Sequence, residues 1–545
     1  MTHAGGADRE FQIFAPGRQI AEPISKRMTI VLRIRKRTSA GDEVDCLSGF
    51  WRETRDVDCE QRIAHDAATT DQSMPTHRRS FNVDVHIGWR GHMLSLARRH
   101  CRPRFRECHG GLAVVVLQQC EAVPRQCRRR SYNDCMLARP SALSALAFAI
   151  QSAAKFDYPA DRTLSYVLRE KRVGSQDRVV VAEGYYAWLR HRLSVEAIAG
   201  DGAKFDAIAL AALARQFRRR VKVPPGEEDR YAKFLKADEA LGPHPRRELP
   251  TWLWDRLGVQ YGNDERLALA DSLLEPAGFD LRVNTLKAKR DAVLGRLQKE
   301  GFPDARATPL SPVGIRLPHR VDISRHPLFE DGTLEVQDEG SQLLAQIVGA
   351  KRGEMVIDFC AGAGGKTLAL AAMMASTGRL YACDVSERRL DNLGPRLARS
   401  GASNVQTVRI ENEHDKRLDK FIGKADRVLV DAPCSGLGTL KRNPDLKWRQ
   451  SPASVKELVE KQQSILAAAS RLVRPGGRLV YATCSVLTEE NEKVAEGFLE
   501  ANSGWSVVPS SLRSEEAGAS RFAQLLPHRD GCDGFFAAVF ECIGA

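Results

Sequence analysis

Between Met355 and Ala482 short apolar runs alternate with helical stretches, and that alternation restricts the fold more than any other feature. Strands are read at Met355–Phe359, Arg379–Cys383, Val405–Ile410, Arg427–Val430 and Arg478–Ala482, with helices opening at Lys366, Glu387 and Pro452. Strands that alternate with helices pair in parallel, because each helix carries the chain back across a sheet face. Continuously apolar, β-branched strands fit a sheet buried on both faces. The expected fold class is α/β, a doubly wound and mostly parallel sheet, with a final strand at Gly534–Glu541. Ligands of such sheets bind beyond the carboxyl ends of the strands. The residues that follow each strand are therefore the ones to read for chemistry.

Two strand ends carry a cysteine. Arg427–Asp431 runs into Asp431-Ala-Pro-Cys434-Ser-Gly, and Arg478–Ala482 runs into Thr483-Cys484-Ser, fifty residues later. If the two strands are neighbours, both thiols and Asp431 face one crevice. A free cysteine is commonly a small buried hydrophobe, and the thiols of Cys360, Cys383, Cys532 and Cys542 are read that way. For Cys434 and Cys484 the expectation is covalent catalysis.

The first strand ends in Asp358-Phe-Cys-Ala-Gly-Ala-Gly-Gly-Lys-Thr367, a glycine turn opening a helix. Small residues let a ligand approach the backbone, and a helix start offers free N–H groups. A phosphate-cradling loop needs a glycine where Cys360 stands, and no G-x-G-x-x-G is present. S-adenosylmethionine is the remaining candidate. Asp384 ends the next strand, nineteen residues past Gly365, where an acid bonds ribose hydroxyls. Asp358 is placed at the methionine end. The cofactor set is thus Asp358, Cys360, Ala361, Gly362, Ala363, Gly364, Gly365, Lys366 and Asp384, with Asp431 and Pro433 from the next motif. Glu411, Asn412 and Asp415 all follow the third strand, and none stands out as the adenine contact.

A methyl donor beside a thiol suits alkylation of a weakly nucleophilic carbon, such as carbon 5 of a pyrimidine. A thiolate adding at carbon 6 makes carbon 5 nucleophilic, and protons must then move near N3 and at carbon 5. Cys434, Cys484 and Asp431 supply a nucleophile, a hydrogen-bond partner and help at elimination. The residue types alone leave open which thiol attacks.

The motifs just quoted, with Lys441-Arg-Asn-Pro-Asp-Leu-Lys-Trp448, Glu489-Glu-Asn491, Leu281-Arg-Val-Asn-Thr285, Val336-Gln-Asp-Glu-Gly-Ser341 and Leu526–Phe536, resemble the Sun/Fmu (RsmB-type) family of RNA cytosine-5 methyltransferases. The resemblance covers about residues 249–541. It implies a class I methyltransferase fold of Rossmann type, S-adenosylmethionine as cofactor and unassembled small-subunit ribosomal RNA as partner. It implies Cys484 as nucleophile, Cys434 in product release, Asp431 at the cytosine N3 edge and Lys366 near cofactor and base. Pro433-Cys434 also resembles the nucleophile dipeptide of DNA cytosine-5 methyltransferases, which lack a Thr-Cys-Ser partner motif. The competing readings are a non-catalytic RNA-binding assembly factor, and transfer RNA as substrate.

The other segments add less. A net charge of +13 favours a polyanionic partner, and Arg282, Lys441, Arg442, Lys447, Arg449 and Trp448 are the expected RNA contacts. Residues 136–248 read as a helical domain that is a candidate for RNA binding, with a basic run at Arg218–Lys222, and 249–345 as a small α+β recognition unit ahead of the catalytic domain, 346–545. Residues 1–135 hold seven of the thirteen cysteines, yet Cys101, Cys108, His109, Cys120 and Cys127 lack metal-ligand spacing. That stretch is read as a disordered or non-native extension ahead of Met136. No metal, no membrane span and no signal peptide are expected, and the chain is read as a cytoplasmic monomer.

Overall fold

The computed structural model describes residues 29–37, 43–48, 82–89, 92–95, 105–107, 113–115, 136–242, 248–512 and 520–544. The chain divides into two compact units, Met1–Ser131 and Tyr132–Ala545. In the first unit the backbone strands Thr29–Arg37, Glu43–Ser48, Asn82–Trp89 and His92–Ser95 form one antiparallel sheet. Phe105–Glu107 pairs with Ala113–Val115. The candidate metal residues of that stretch, Cys101, Cys108, His109, Cys120 and Cys127, lie outside the described residues.

The second unit begins with the expected helices: Pro140–Ala153, Ala160–Glu170, Ser175–Arg190, Arg192–Ala199, Phe205–Phe217 and Glu228–Leu241. Their apolar faces close on Leu146, Ile150, Trp188, Leu210 and Leu213, all buried. Burying such aliphatic side chains stabilises by roughly 1.5–3 kcal/mol each. Gly184 sits where two helices touch; a Cβ there would lie 2.6 Å from Leu146 Cδ2. The basic run forms one exposed turn, Arg218–Arg220, and a short strand, Val221–Lys222, parallel to Met136–Leu137.

A helix at Thr251–Leu274, interrupted at Gly262 (φ 71°), leads into the small unit. Its antiparallel sheet runs in the order Arg306–Ala307, Gly314–Leu317, Phe279–Val283, Leu334–Val336. The helix Arg290–Lys299 covers a core of Leu281, Val283, Val293 and Ile315.

The C-terminal part of the chain follows the predicted alternation. Its elements are β1 (Met355–Asp358), α1 (Gly365–Met373), β2 (Arg379–Asp384), α2 (Glu387–Ser400), β3 (Val405–Arg409), β4 (Ala425–Asp431), α3 (Pro452–Ser470), β5 (Val473–Thr483), α4 (Glu492–Ala501), β6 (Trp505–Val507) and β7 (Phe535–Cys542). The sheet order is β3-β2-β1-β4-β5-β7-β6, with Ala523–Leu525 also on β7. The first five strands are mutually parallel and β7 is antiparallel to β5. Alternate residues bury on opposite faces: Ile357, Val428, Val430 and Tyr481 on one, Val356, Leu429, Val480 and Ala482 on the other. That is the period-two pattern of a sheet covered on both sides.

One boundary differs from expectation. β5 starts at Val473, five residues early, because Ala425 pairs with Val473 and Arg427 pairs with Arg478. Arg474-Pro-Gly-Gly477 bulges between them, since Pro475 has no N–H for the ladder and Gly476 takes φ 70°. Among the described residues no helix is long and apolar enough to cross a membrane.

Candidate active site

The sheet order reverses between β1 and β4, and a doubly wound sheet opens a crevice at that point. Asp358 ends β1 and Asp431 ends β4, so the glycine loop and the first cysteine motif flank the crevice. In the loop Gly362 (φ 56°) and Gly364 (φ 83°) take left-handed backbone conformations. A Cβ on Gly364 would lie 2.2 Å from Leu393 Cδ1, whereas one on Gly362 meets nothing within 4 Å. The open side of the loop is thus at Gly362, where a ligand has room beside the backbone. The Gly362 amide donates to Asp384 Oδ2 at 2.8 Å and the Ser386 amide to Asp384 Oδ1 at 2.7 Å. Asp384 is thereby aimed at the loop from the end of β2.

Asp358 is buried, and Thr367 Oγ1 donates to its Oδ2 at 2.7 Å, while Oδ1 has no hydrogen-bond partner among the described residues. Burial is the main cause that raises its carboxyl to about 7, against the opposing Thr367 hydrogen bond. A buried carboxylate oxygen without a partner calls for a donor, and an ammonium-bearing ligand in the crevice would supply one. The loop therefore fits a small zwitterionic cofactor. Lys366, in the first turn of α1, does not point along the loop as a phosphate-binding lysine would. Its Nζ lies 2.7 Å from Asp431 Oδ2. Burial opposes its charge, but the Asp431 carboxylate outweighs that and raises its pKa.

β4 and β5 are neighbours, with Asp431 opposite Ala482, so the two cysteine motifs hang side by side. The Sγ atoms of Cys434 and Cys484 are 3.2 Å apart, and the Cys484 amide donates to Cys434 Sγ at 3.3 Å. The hydrogen bond to Cys484, followed by burial, pushes the Cys434 thiol well above the ordinary range. A Cys434 thiolate is thereby disfavoured. Cys360 is likewise held as a thiol, by burial first and then the Asp358 charge.

The expected RNA contacts all have partners within the chain. Arg282 is buried, its Nε donates to Gln337 Oε1 at 2.6 Å, and desolvation brings its pKa down to about 10. Lys441 is buried against Glu275 (3.4 Å), and Arg442 bridges Asp338 (2.6 Å) and Asp533 (2.7 Å). Lys447 is buried with Nζ donating to Arg190 O at 2.6 Å; Trp448 Nε1 donates to Leu189 O at 2.8 Å beneath the Arg192 guanidinium. Arg449 pairs with Asp445 at 3.6 Å. Of these side chains, those from Lys441 to Arg449 hold the loop after Cys434 onto its neighbours, the helical domain included. Sequence proximity to the motif could not distinguish a paired cation from a free one.

Sequence reasoning gave no role to Glu490, Ser435, Ser485 or Gln462, which form a buried cluster joining the two cysteine loops. Their signal was visible: a serine follows each cysteine, and an acid lies five residues past the second serine. Of the adenine candidates, Glu411 and Asn412 are exposed after β3, and Asp415 is occupied by the amides of Glu411 and Arg417.

The model of the family described as 16S rRNA methyltransferase RsmB/F matches residues 345–541, and that of the RsmF/B-like ferredoxin-like domain matches residues 249–324. The chain is 33% identical over 385 residues to the probable ribosomal RNA small subunit methyltransferase B of Synechocystis sp., covering 68% of this chain and 85% of that protein. It is 33% identical to the ribosomal RNA small subunit methyltransferase B of Pasteurella multocida over 56% of this chain and 69% of that one. Among solved structures, that of PH0851 superposes with a TM-score of 0.60 at 25% identity, covering 74% of this chain and 98% of the other.

Proposed function

The chain belongs to the RsmB/F family of 16S rRNA methyltransferases, and from that premise we propose that it methylates carbon 5 of a cytosine in small-subunit ribosomal RNA. S-adenosylmethionine is its cofactor. The observation that carries the cytosine-5 reading is the 3.2 Å separation of two thiols at the ends of adjacent strands, next to the Lys366–Asp431 ion pair. A second thiol at contact distance can take up the carbon 5 proton and help to expel the first, a division of labour that a lone cysteine does not offer.

The cofactor would be held by the open face of Gly362, by Asp384 and by the unpartnered Asp358 Oδ1; when bound it supplies an electrophilic methyl group. Cys484 is the nucleophile, the role that the family resemblance implies, and Cys434, whose thiolate is disfavoured, lies 3.2 Å from its sulfur, within reach for proton transfer. The Cys484 sulfur bonds to carbon 6 of the extruded base, its proton passing to N3 by way of Asp431. Lys366 keeps Asp431 in place, and its charge stabilises negative charge that develops on the ring. Carbon 5, now nucleophilic, takes the methyl. As the carbon 6–sulfur bond breaks, the Cys434 proton passes to the departing Cys484 sulfur, and the proton of carbon 5 passes to Cys434. The proton lent to N3 leaves to solvent, so both thiols are restored and one proton is released overall.

The test is methyl transfer from labelled cofactor to unmodified 16S ribosomal RNA, with the product nucleoside identified. Label in 5-methylcytosine supports the proposal. Label in another nucleoside, or binding of RNA without transfer, contradicts it.

A further inference from the structure

Glu490 is completely buried, and its carboxylate receives four hydrogen bonds. The Ser435 amide (2.8 Å) and Gln462 Nε2 (3.0 Å) donate to Oε1, and the Ser435 and Ser485 hydroxyls donate to Oε2, each at 2.5 Å. Ser435 directly follows Cys434, and Ser485 directly follows Cys484. One carboxylate thus ties together the two loops that carry the thiols. Gln462 extends the clamp to the other side of Cys434 by donating to Pro433 O at 3.0 Å. The Glu490 backbone is itself held from β5, where the Tyr481 hydroxyl donates to the Glu490 carbonyl at 2.6 Å.

We infer that Glu490 is a positioning residue that sets the sulfur–sulfur spacing of the catalytic pair. β4 and β5 fix where the loops begin, yet parallel strands alone place Asp431 opposite Ala482 and say nothing about residues beyond the ladder. The serine hydroxyls converge on one oxygen atom and lie 3.3 Å from each other, so the residues preceding them are held at matching heights. An ionised carboxylate is an acceptor only and satisfies all four donors; a glutamine would bring two donors of its own to the same place. Glu490 touches neither sulfur nor, in the proposed mechanism, the base. The inference rests on the two-thiol reading of the site, and its test separates the two.

Sulfur spacing can be read without RNA by phenylarsine oxide, a trivalent arsenical that binds tightly only when it bridges two adjacent thiols. The native protein should bind one equivalent through Cys434 and Cys484. Glu490→Ala should weaken that binding about 100-fold, since bivalent capture fails when geometry forbids simultaneous engagement. It should lower kcat for methylation of unmodified 16S ribosomal RNA by about 100-fold, the order expected for a displacement of ~1 Å. KM for the cofactor and affinity for S-adenosylhomocysteine should stay within about twofold, because neither Asp358 nor Asp384 contacts the clamp. Glu490→Gln should fall between the two, and the paired Ser435→Ala, Ser485→Ala variant should follow Glu490→Ala. Undiminished arsenical binding in Glu490→Ala overturns the inference. So does parallel loss of S-adenosylhomocysteine binding in all three variants, which would mark a general folding role. If the native protein binds the arsenical yet transfers no methyl to cytosine, the functional reading fails while the clamp stands.

Discussion

Lys366 Nζ lies 2.7 Å from Asp431 Oδ2, so the helix that opens at the cofactor loop is ionically joined to the motif that carries the first thiol. The two halves of the crevice are coupled through this pair. Removing either partner leaves a charge facing the other half.

Lys366→Ala and Asp431→Ala should each reduce kcat by about 100-fold or more, the order seen when a transition-state hydrogen-bond partner is lost. Asp431 is partly exposed, so melting temperature should change little. Lys366→Arg should not restore activity, because a planar fork does not replace a compact ammonium in a closed site. Full activity in Lys366→Arg would show that only charge matters there.

Asp358 gives a pH dependence of definite sign. Its folded pKa of about 7 exceeds the unfolded value near 4, so between those limits the native state binds more protons. Stability of the cofactor-free protein should therefore fall as pH rises from about 4 to 7. Asp358→Asn should remove that component, measured as the difference between urea midpoints of the two proteins across the range. It should also weaken S-adenosylhomocysteine binding by about tenfold, since Oδ1 no longer offers a charged acceptor. A constant difference with pH would exclude a buried proton on Asp358.

Trp448 and Lys447 join the catalytic loop to the helical domain. Trp448→Ala should destabilise by about 2 kcal/mol, less than a fully buried tryptophan because this one is half-buried. Lys447 is pushed down to about 7 by burial, with Glu248 opposing. Here the unfolded chain binds more protons between about 7 and 10, so this group makes stability rise with pH over that window. Lys447→Met should flatten the rise and leave stability at pH 7 within about 1 kcal/mol, burial of the ammonium being offset by the orphaned Arg190 carbonyl.

Gly438 is held where three loops meet. Its amide donates to Cys484 O at 2.9 Å and its carbonyl accepts from the Gly534 amide at 2.8 Å. A Cβ at Gly438 would lie 2.2 Å from Gly534 O and 2.8 Å from Cys484 O. Gly438→Ala should thus displace the Cys484 loop and lower kcat by about 100-fold, checked by single-turnover methylation.

The sheet was legible because its strands are apolar on both faces, and alternation with helices leaves little choice of pairing. The site was legible where chemistry depends on position along one strand: Asp358, Asp384, Asp431, Cys434 and Cys484 all stand at strand ends, as read. Contacts between distant segments were not. Nothing near Arg442 in the chain announces Asp338 and Asp533, and nothing near Trp448 announces Leu189. The Val473 start of β5 was not legible, because Pro475, Gly476 and Gly477 interrupt the apolar run that marks a strand. Glu490 was overlooked because a carboxylate's partners become apparent only when two loops, fifty residues apart, lie side by side.

The unequal roles of the two thiols are the central claim, and covalent trapping tests it most directly. RNA carrying 5-fluorocytosine should form a stable adduct with the native protein, because carbon 5 then has no proton to lose. Cys484→Ala should form no adduct and show no turnover, whereas Cys434→Ala should accumulate an adduct even with unmodified RNA, visible as a denaturation-resistant band. Adduct formation by Cys484→Ala, with none from Cys434→Ala, would reverse the assignment and contradict the account.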